Sequence, residues 1–564
     1  MVTGNAFDRL NEDMLSEYLF LNPEKATMLG LHEPYDYQMP HCGPEHIEKN
    51  LIFLENWSTA AHRAASRHRL TLDQSLSLEA LDMAVDRARF FTKSYPIWRM
   101  NPDCLSAMGP MLLHMATSEY APIAKRLDGV SWRLSRLPQY LSEFRTRFDR
   151  HPSVELWTDD AITACERFPK FVDVIERTAR ERIPDRFLTQ LKRSKSIAED
   201  ALDQHLEWLR DMRRDSIAEF AMGTARFEKL LKLRRIGMDK AQMLKFGEDG
   251  YRSWLDEREK LARRLTPKGD VHSAARLLES HSPRRFEEVL KAAEAEAQSA
   301  RSFVEIGGFA TVPPKGRFTT SETPDFMAPL LPYGNLYMAS KFDRGLYATY
   351  YFTRPKTRAE LRAYYCHSSI VTMMGHSAYP GHFLQRCVAK ERPWMFLLPE
   401  FAGSDILTYG WSFDAAEAWA CSASALMYDK GYKPNDEVHL QIIVARLMYY
   451  LGATIDVKLC CGETTIEEYV DEYVEATGLS RAGAVSEIKW MAREPGTFLS
   501  FATGLHQFKE LREEVSGSMG KSFDERRFND EFMRHADLPM ALARKGVLAN
   551  MMGTAGPSKR IKQG

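Results

Sequence analysis

The stretch on which the reading of this chain turns is Gly375-His376-Ser377-Ala378-Tyr379-Pro380-Gly381-His382-Phe383-Leu384-Gln385. Two histidines that share a metal from one helix stand at i and i+4, where both imidazoles project to the same side. His376 and His382 are six apart, which on a straight helix puts them on different faces. Removing Pro380-Gly381 leaves His-Ser-Ala-Tyr-His, with the four-residue spacing restored. A Pro-Gly pair cannot continue regular helical hydrogen bonding, so it is expected to bulge out and let His382 swing back beside His376. Two nearby histidines are more often packed or surface residues than ligands, so the pair needs a partner to carry weight.

A second segment, Trp411-Ser412-Phe413-Asp414-Ala415-Ala416-Glu417-Ala418-Trp419-Ala420, sets Glu417 among alanines and tryptophans. An unpaired carboxylate is costly to bury there, and a partner cation would offset the cost. Either a metal or an Arg or Lys from another helix would serve.

In these two segments the chain resembles the family known as domain of unknown function 885, read as zinc metallopeptidases with an HEAYPGHHLQ signature. The Glu417-Ala418-Trp419-Ala420 segment is similar to that family's EGWALYAE helix. Pro23, Ala26-Thr27, Leu29-Gly30 and His32 resemble its opening P-x-x-A-T-x-L-G-x-H pattern. Asp456-Val457-Lys458-Leu459 with Gly462-Glu463 resembles D-I-K-L-H-x-G-E, and Pro495-Gly496 with Leu499-Ser500-Phe501 and Gly504 resembles P-G-Q-x-L-S-Y-x-x-G. The resemblance implies a mainly α, multi-helix, gluzincin-like metallopeptidase fold. It also implies one zinc ion, with His376, His382 and Glu417 at the ligand positions.

The departures are as informative as the matches. The residue after the first histidine should be a glutamate that moves protons between the metal-bound water and the leaving amine; here it is Ser377. Phe383 replaces the second histidine of the HH pair, and Ser424 replaces the glutamate that ends the family's helix. Cys460 stands for a histidine, Thr497 for a glutamine, and Phe501 for a tyrosine able to stabilise an oxyanion. Ligation and proton transfer use different residues, so the site is expected to keep its metal while losing its base. Cys421, four residues after Glu417 on the same expected helix, is a further ligand, a thiol in the site or a small filler. Cys460, Asp456, Lys458 and Tyr379 are the other candidate lining residues, with the Asp456 region the place to look for a substitute base. Two functions stay open. One is metal-dependent hydrolysis of a peptide or small amide with weakened or altered catalysis. The other is a catalytically inactive relative that binds a metal, peptide or protein.

The rest of the chain bounds these readings. Its 564 residues are 44% hydrophobic and 27% charged, an ordinary globular composition. Lys and Arg (76) nearly cancel Asp and Glu (77), so no global field draws it to nucleic acid or an anionic membrane; basic pairs such as Arg213-Arg214 and Arg234-Arg235 do not make a basic face. Met1 to Met14 lacks the basic-then-apolar order of a secretory signal. Apolar runs look short and broken, as where Arg446 interrupts Val444 to Ile455, so no membrane-spanning helix is expected. The eight cysteines are scattered without paired spacing and read as reduced thiols in the cytoplasm.

The organisation expected is one composite domain over 1–552. A helical part runs over 6–303, a small sheet or hairpin over 307–355, and a helical metal-site part over 357–547, with a disordered tail at 553–564. Within the first part, Glu199 to Leu233 reads as an amphipathic stretch with the stripe Leu202, Leu206 and Leu209, and Arg213 marking where burial weakens. Breaks are expected before Pro23, Pro102, Pro138, Pro184 and Pro267.

Overall fold

Helix starts follow local capping chemistry. Thr71, Asp239 and Thr357 each accept the amide three residues on, while Gln74, Gln242 and Glu360 reach back to the cap, which satisfies donors that a first turn leaves unpaired. Pro23 and Pro44 take first helical positions, where a missing amide costs little. Gly308 and Gly462 end their helices at φ 61° and 73°, a conformation that favours glycine.

The computed structural model describes residues 5–149, 151–180, 183–323, 334–390 and 413–553. Its first helices are α1 (Ala6–Leu21), α2 (Pro23–Met28), α3 (Pro44–Ala65) and α4 (Leu72–Arg89), then α5 (Leu105–Thr117), α6 (Ile123–Arg145), α7 (Glu155–Arg180) and α8 (Asp185–Arg214). Next come α9 (Thr224–Leu233), α10 (Lys240–Leu265), α11 (Val271–Ser280) and α12 (Phe286–Gly307). Strands β1 (Arg317–Glu322), β2 (Gly334–Met338) and β3 (Tyr347–Phe352) follow. The chain returns to helix in α13 (Arg358–Tyr364), α14 (His367–Ser377), α15 (His382–Ala389), α16 (Phe413–Asp429) and α17 (Asp436–Cys461). It closes with α18 (Val470–Thr477), α19 (Arg481–Arg493), α20 (Leu499–Met519), α21 (Glu525–His535) and α22 (Met540–Met552).

The architecture is therefore mainly helical with a small sheet, as expected. The sheet is mixed rather than a plain hairpin: β3 lies in the middle, parallel to β1 and antiparallel to β2. Buried side chains form three clusters. One gathers α1 to α4 around Trp57, a second gathers α5 to α8 around Leu112 and Phe144, and the largest runs from Leu76 on α4 to Met551 through the sheet and the later helices.

Three expectations need correction. Pro138 lies inside α6 rather than at a break, because Leu134, Leu137 and Leu141 around it are buried and tertiary packing overrides the local cost. The Glu199–Leu233 stretch is two helices: after Arg214 the chain runs extended, Ile217 pairs with Val154, and Gly223 at φ 78° turns it into α9. Leu202 and Leu209 are buried and Arg213 is half-exposed on Asp159 and Glu155, as the stripe implied. Finally, α17 is 26 residues long and apolar enough to cross a membrane by length and composition, contrary to the reading of short, broken runs; 67% of its apolar window is buried, so it serves as a core helix. The tail from residue 554 lies outside the described residues.

Candidate metal centre and cleft

The Pro-Gly pair divides the histidine segment into two helices, α14 and α15, but the hydrogen-bond pattern keeps them in line. Gly381 N donates to Gly375 O at 3.0 Å and Leu384 N to Ala378 O at 3.2 Å, so each bond spans six residues where a helix spans four. Two residues are thereby looped out. A Cβ on Gly381 would sit 1.7 Å from His376 O, so only glycine fits. The indole of Trp419 on α16 donates to Pro380 O at 2.7 Å and ties the loop to the helix that carries Glu417.

The result brings His376, His382 and Glu417 together. His382 Nε2 is 3.0 Å from Glu417 Oε1, and His376 Nε2 is 3.8 Å from Glu417 Oε2. The two imidazoles meet edge to face, 4.7 Å between ring centres. Cys421, one turn along α16, donates to Glu417 Oε2 at 3.5 Å; one ligand atom each from His376, Glu417 and Cys421 lies within 4.8 Å of the others. Burial, reinforced by the His382 ring, lowers the His376 imidazole to about 4. Burial opposes ionisation of Glu417, yet His382 and then His376 outweigh it and hold the carboxyl below its ordinary range. A neutral imidazole and an ionised carboxylate are the forms that bind metal.

His376, His382 and Glu417, but not Cys421, line a cleft of about 740 Å³, within the usual range for small-ligand sites. Its walls include Tyr18 and Lys25 from the first helices, Met108 and Tyr140 from α5 and α6, Leu336 from β2, and Trp490 and Phe501. Ser377 lines it beside His376. The other carboxylates among the described lining residues are Glu24 and Asp537; Asp537 accepts from Gln385 Nε2 at 3.1 Å.

The remaining expected site residues lie elsewhere. Asp456 accepts the amides of Gly496 at 2.8 Å and Phe498 at 2.9 Å and takes the Cys460 thiol at 3.3 Å. Burial raises its carboxyl to about 6 against the pull of those donors. Lys458 reaches Tyr469 Oη at 2.7 Å, and Tyr379 packs on Phe383 beneath the Arg301 guanidinium. Phe383 itself is buried against Phe318. Ser424 donates to Thr372 O at 2.8 Å and so links α16 to α14. Asp456, Lys458, Cys460 and Tyr379 thus brace the scaffold and are not in the cleft wall: the first three sit on faces of α17 turned into the core or towards other helices, and Tyr379 lies in the turn between α14 and α15.

Sequence reading missed the strongest brace. Arg234, taken as half of a basic pair, donates to Asp414 Oδ1 at 2.6 Å and Ser500 Oγ at 2.9 Å, and also to Gly496 O. Both members of the ion pair are buried. The available signal was Asp414 in an apolar helix, which needed a cation as much as Glu417 did. The profile of the family described as "Bacterial protein of unknown function (DUF885)" matches residues 23–547. The chain belongs to the DUF885 family.

Solved structures place this DUF885 chain on a known fold. A Shewanella oneidensis protein described as a candidate lipoprotein of unknown function aligns with TM-score 0.74 at 18% identity, over 96% of this chain and 99% of that one. A Colwellia psychrerythraea candidate lipoprotein aligns with TM-score 0.79 at 16% identity, with the same coverage. At such identities the likeness is one of fold. No curated protein shows significant similarity to the chain.

Proposed function

We propose that this DUF885 chain is a divergent, gluzincin-like zinc-metallopeptidase relative. It holds a zinc-class ion on His376, His382 and Glu417 and hydrolyses a peptide or small amide with weakened or altered catalysis. The observation that carries the reading is the meeting of two imidazoles on opposite oxygens of one buried carboxylate in the wall of a substrate-sized cleft. The donor set fits, since catalytic zinc commonly takes two imidazoles and a glutamate and leaves a position open. When bound, the ion polarises a carbonyl and activates water. Glu417 orients both rings, and Tyr140, Trp490 and Phe501 offer apolar surface to a substrate side chain. A cytoplasmic setting is supported by eight free cysteines, whereas the two solved relatives are themselves described as candidate lipoproteins.

A second reading, an inactive binder of a metal, peptide or protein, is favoured by one observation: the base position holds Ser377, and Asp456 is engaged by backbone amides. Elemental analysis of the purified chain, paired with chelator-sensitive peptide hydrolysis, tests both. His382→Ala should lower bound zinc by one equivalent per chain. Unchanged zinc content would overturn the metal reading, and zinc retention with no hydrolysis of any unblocked peptide would leave the binder as the function.

A further inference from the structure

The N-terminal motif ending in His32 takes no part in the His376 centre, yet its residues converge on a second cluster. His32 follows α2, His114 lies in the last turn of α5, and Asp343 lies between β2 and β3. One ligand atom from each lies within 4.8 Å of the other two. Each residue has its other polar atom held by a separate partner. His32 Nδ1 is 3.2 Å from Asp36 Oδ2, His114 Nδ1 is 3.0 Å from Ser118 Oγ, and Asp343 Oδ2 accepts the Ser340 amide at 2.8 Å and the Tyr347 hydroxyl at 3.0 Å. With the proton on Nδ1 of both rings, both Nε2 atoms present lone pairs.

The inward atoms are the informative ones. His32 Nε2, His114 Nε2 and Asp343 Oδ1 are all buried and make no hydrogen bond among the described residues. His32 Nε2 and Asp343 Oδ1 stand 3.8 Å apart, beyond hydrogen-bond reach, and the Asp343 side chain is 2% exposed. Three buried polar atoms left facing one another are costly unless something satisfies them together. An imidazole whose far nitrogen is oriented by a carboxylate, as Asp36 orients His32, is the usual outer support of a metal ligand. The surroundings are built for close approach: Gly30 has φ +88°, and a Cβ there would lie 2.7 Å from Asp343 Oδ1. Thr27 and Tyr120 both donate to Asp36, so the motif residues Thr27, Gly30 and His32 all serve this cluster.

We propose that His32, His114 and Asp343 form a second divalent-cation site, of the zinc class, that staples the N-terminal segment and α5 to the β2–β3 connection. Two imidazoles and a carboxylate suit zinc. The staple reaches the cleft through α15: Lys390, just past its end, donates to Asp343 O at 2.9 Å and Gly345 O at 2.6 Å, and Lys341 donates to Lys390 O at 2.7 Å. The helix that begins with His382 is thus anchored at its far end to the loop carrying Asp343.

The test uses the full chain, chelated, dialysed and titrated with zinc sulfate alone. In a His376→Ala/His382→Ala background, and separately in Glu417→Gln, one zinc should remain per chain by elemental analysis, and zinc should raise the melting temperature. Adding His114→Gln, or the near-isosteric Asp343→Asn, should abolish retention or weaken it at least about tenfold with circular dichroism unchanged. Failure of the His376 centre would show as no loss of zinc between the wild type and these backgrounds, which leaves the second site standing. The proposal is overturned if folded background variants retain no zinc, or if both added substitutions leave retention and melting temperature unmoved.

Discussion

Ser377 lines the cleft where a proton-transferring carboxylate would act, and its hydroxyl is far too weakly basic to take that role near neutral pH. The unmodified chain is therefore expected to hydrolyse unblocked peptides slowly. Ser377→Glu should raise the chelator-sensitive rate, within the roughly 100- to 10,000-fold that a general base contributes; vigorous cleavage by the wild type would defeat this account. Gly381→Ala is a sharper probe of geometry, because its Cβ would overlap His376 O. It should cost about 3 kcal/mol of stability by urea unfolding and, on the proposed function, lower the metal content by one ion per chain. At this scale the meeting of His376, His382 and Glu417 was legible in the sequence, because looping out Pro380-Gly381 restores a four-residue spacing and a carboxylate in an apolar setting needs a partner. Asp456, Lys458 and Cys460 could not be placed, since motif order along a chain does not say which face of a helix turns to the cleft. Asp343 carried no signal at all: it lies in a loop more than three hundred residues after His32, and only the fold brings them together.

At the scale of elements, the segments that resemble the family's motifs hold one another. Asp456 on α17 grips the turn before α20, and Arg234 after α9 ties that turn to Asp414 on α16. Removing one partner of a buried pair strands the other charge, so Arg234→Met should destabilise by about 3 to 5 kcal/mol. Denaturant unfolding checks this, and a loss under about 1 kcal/mol would show that Ser500 alone suffices for Asp414. Helices were legible here because their apolar stripes and caps are local. Their exact ends were less so: the pairing of Ile217 with Val154 that splits the 199–233 stretch is a long-range contact. Pro138 misled because its neighbours' burial is decided by tertiary packing among α5 to α8, which a local breaker signal does not report.

For the whole molecule, pH sets a measurable limit. His205 is buried beside Arg145, and burial, then that guanidinium, lower its imidazole to about 3. The unfolded chain therefore binds this proton more readily than the folded one, so its contribution is complete above about 6.5 and is lost as pH falls towards 3. His205→Phe should flatten the fall in unfolding free energy between pH 6 and 4 by about 1.4 kcal/mol per unit; an unchanged slope would exclude His205 as a source of acid sensitivity. The thiols give a second global check. All eight are free and only Cys461 is not fully buried, so alkylation of the native chain should label Cys461 first, and denaturation should release eight. The three separate clusters of buried side chains have a further consequence, because the cleft borrows a wall from each: Tyr18 from one, Tyr140 from another and Phe501 from the third. It is the seam where three sets of buried side chains meet. A molecule that fills it touches all three sets at once, so amide hydrogen exchange is expected to slow in each of them, including in helices that never touch the occupant.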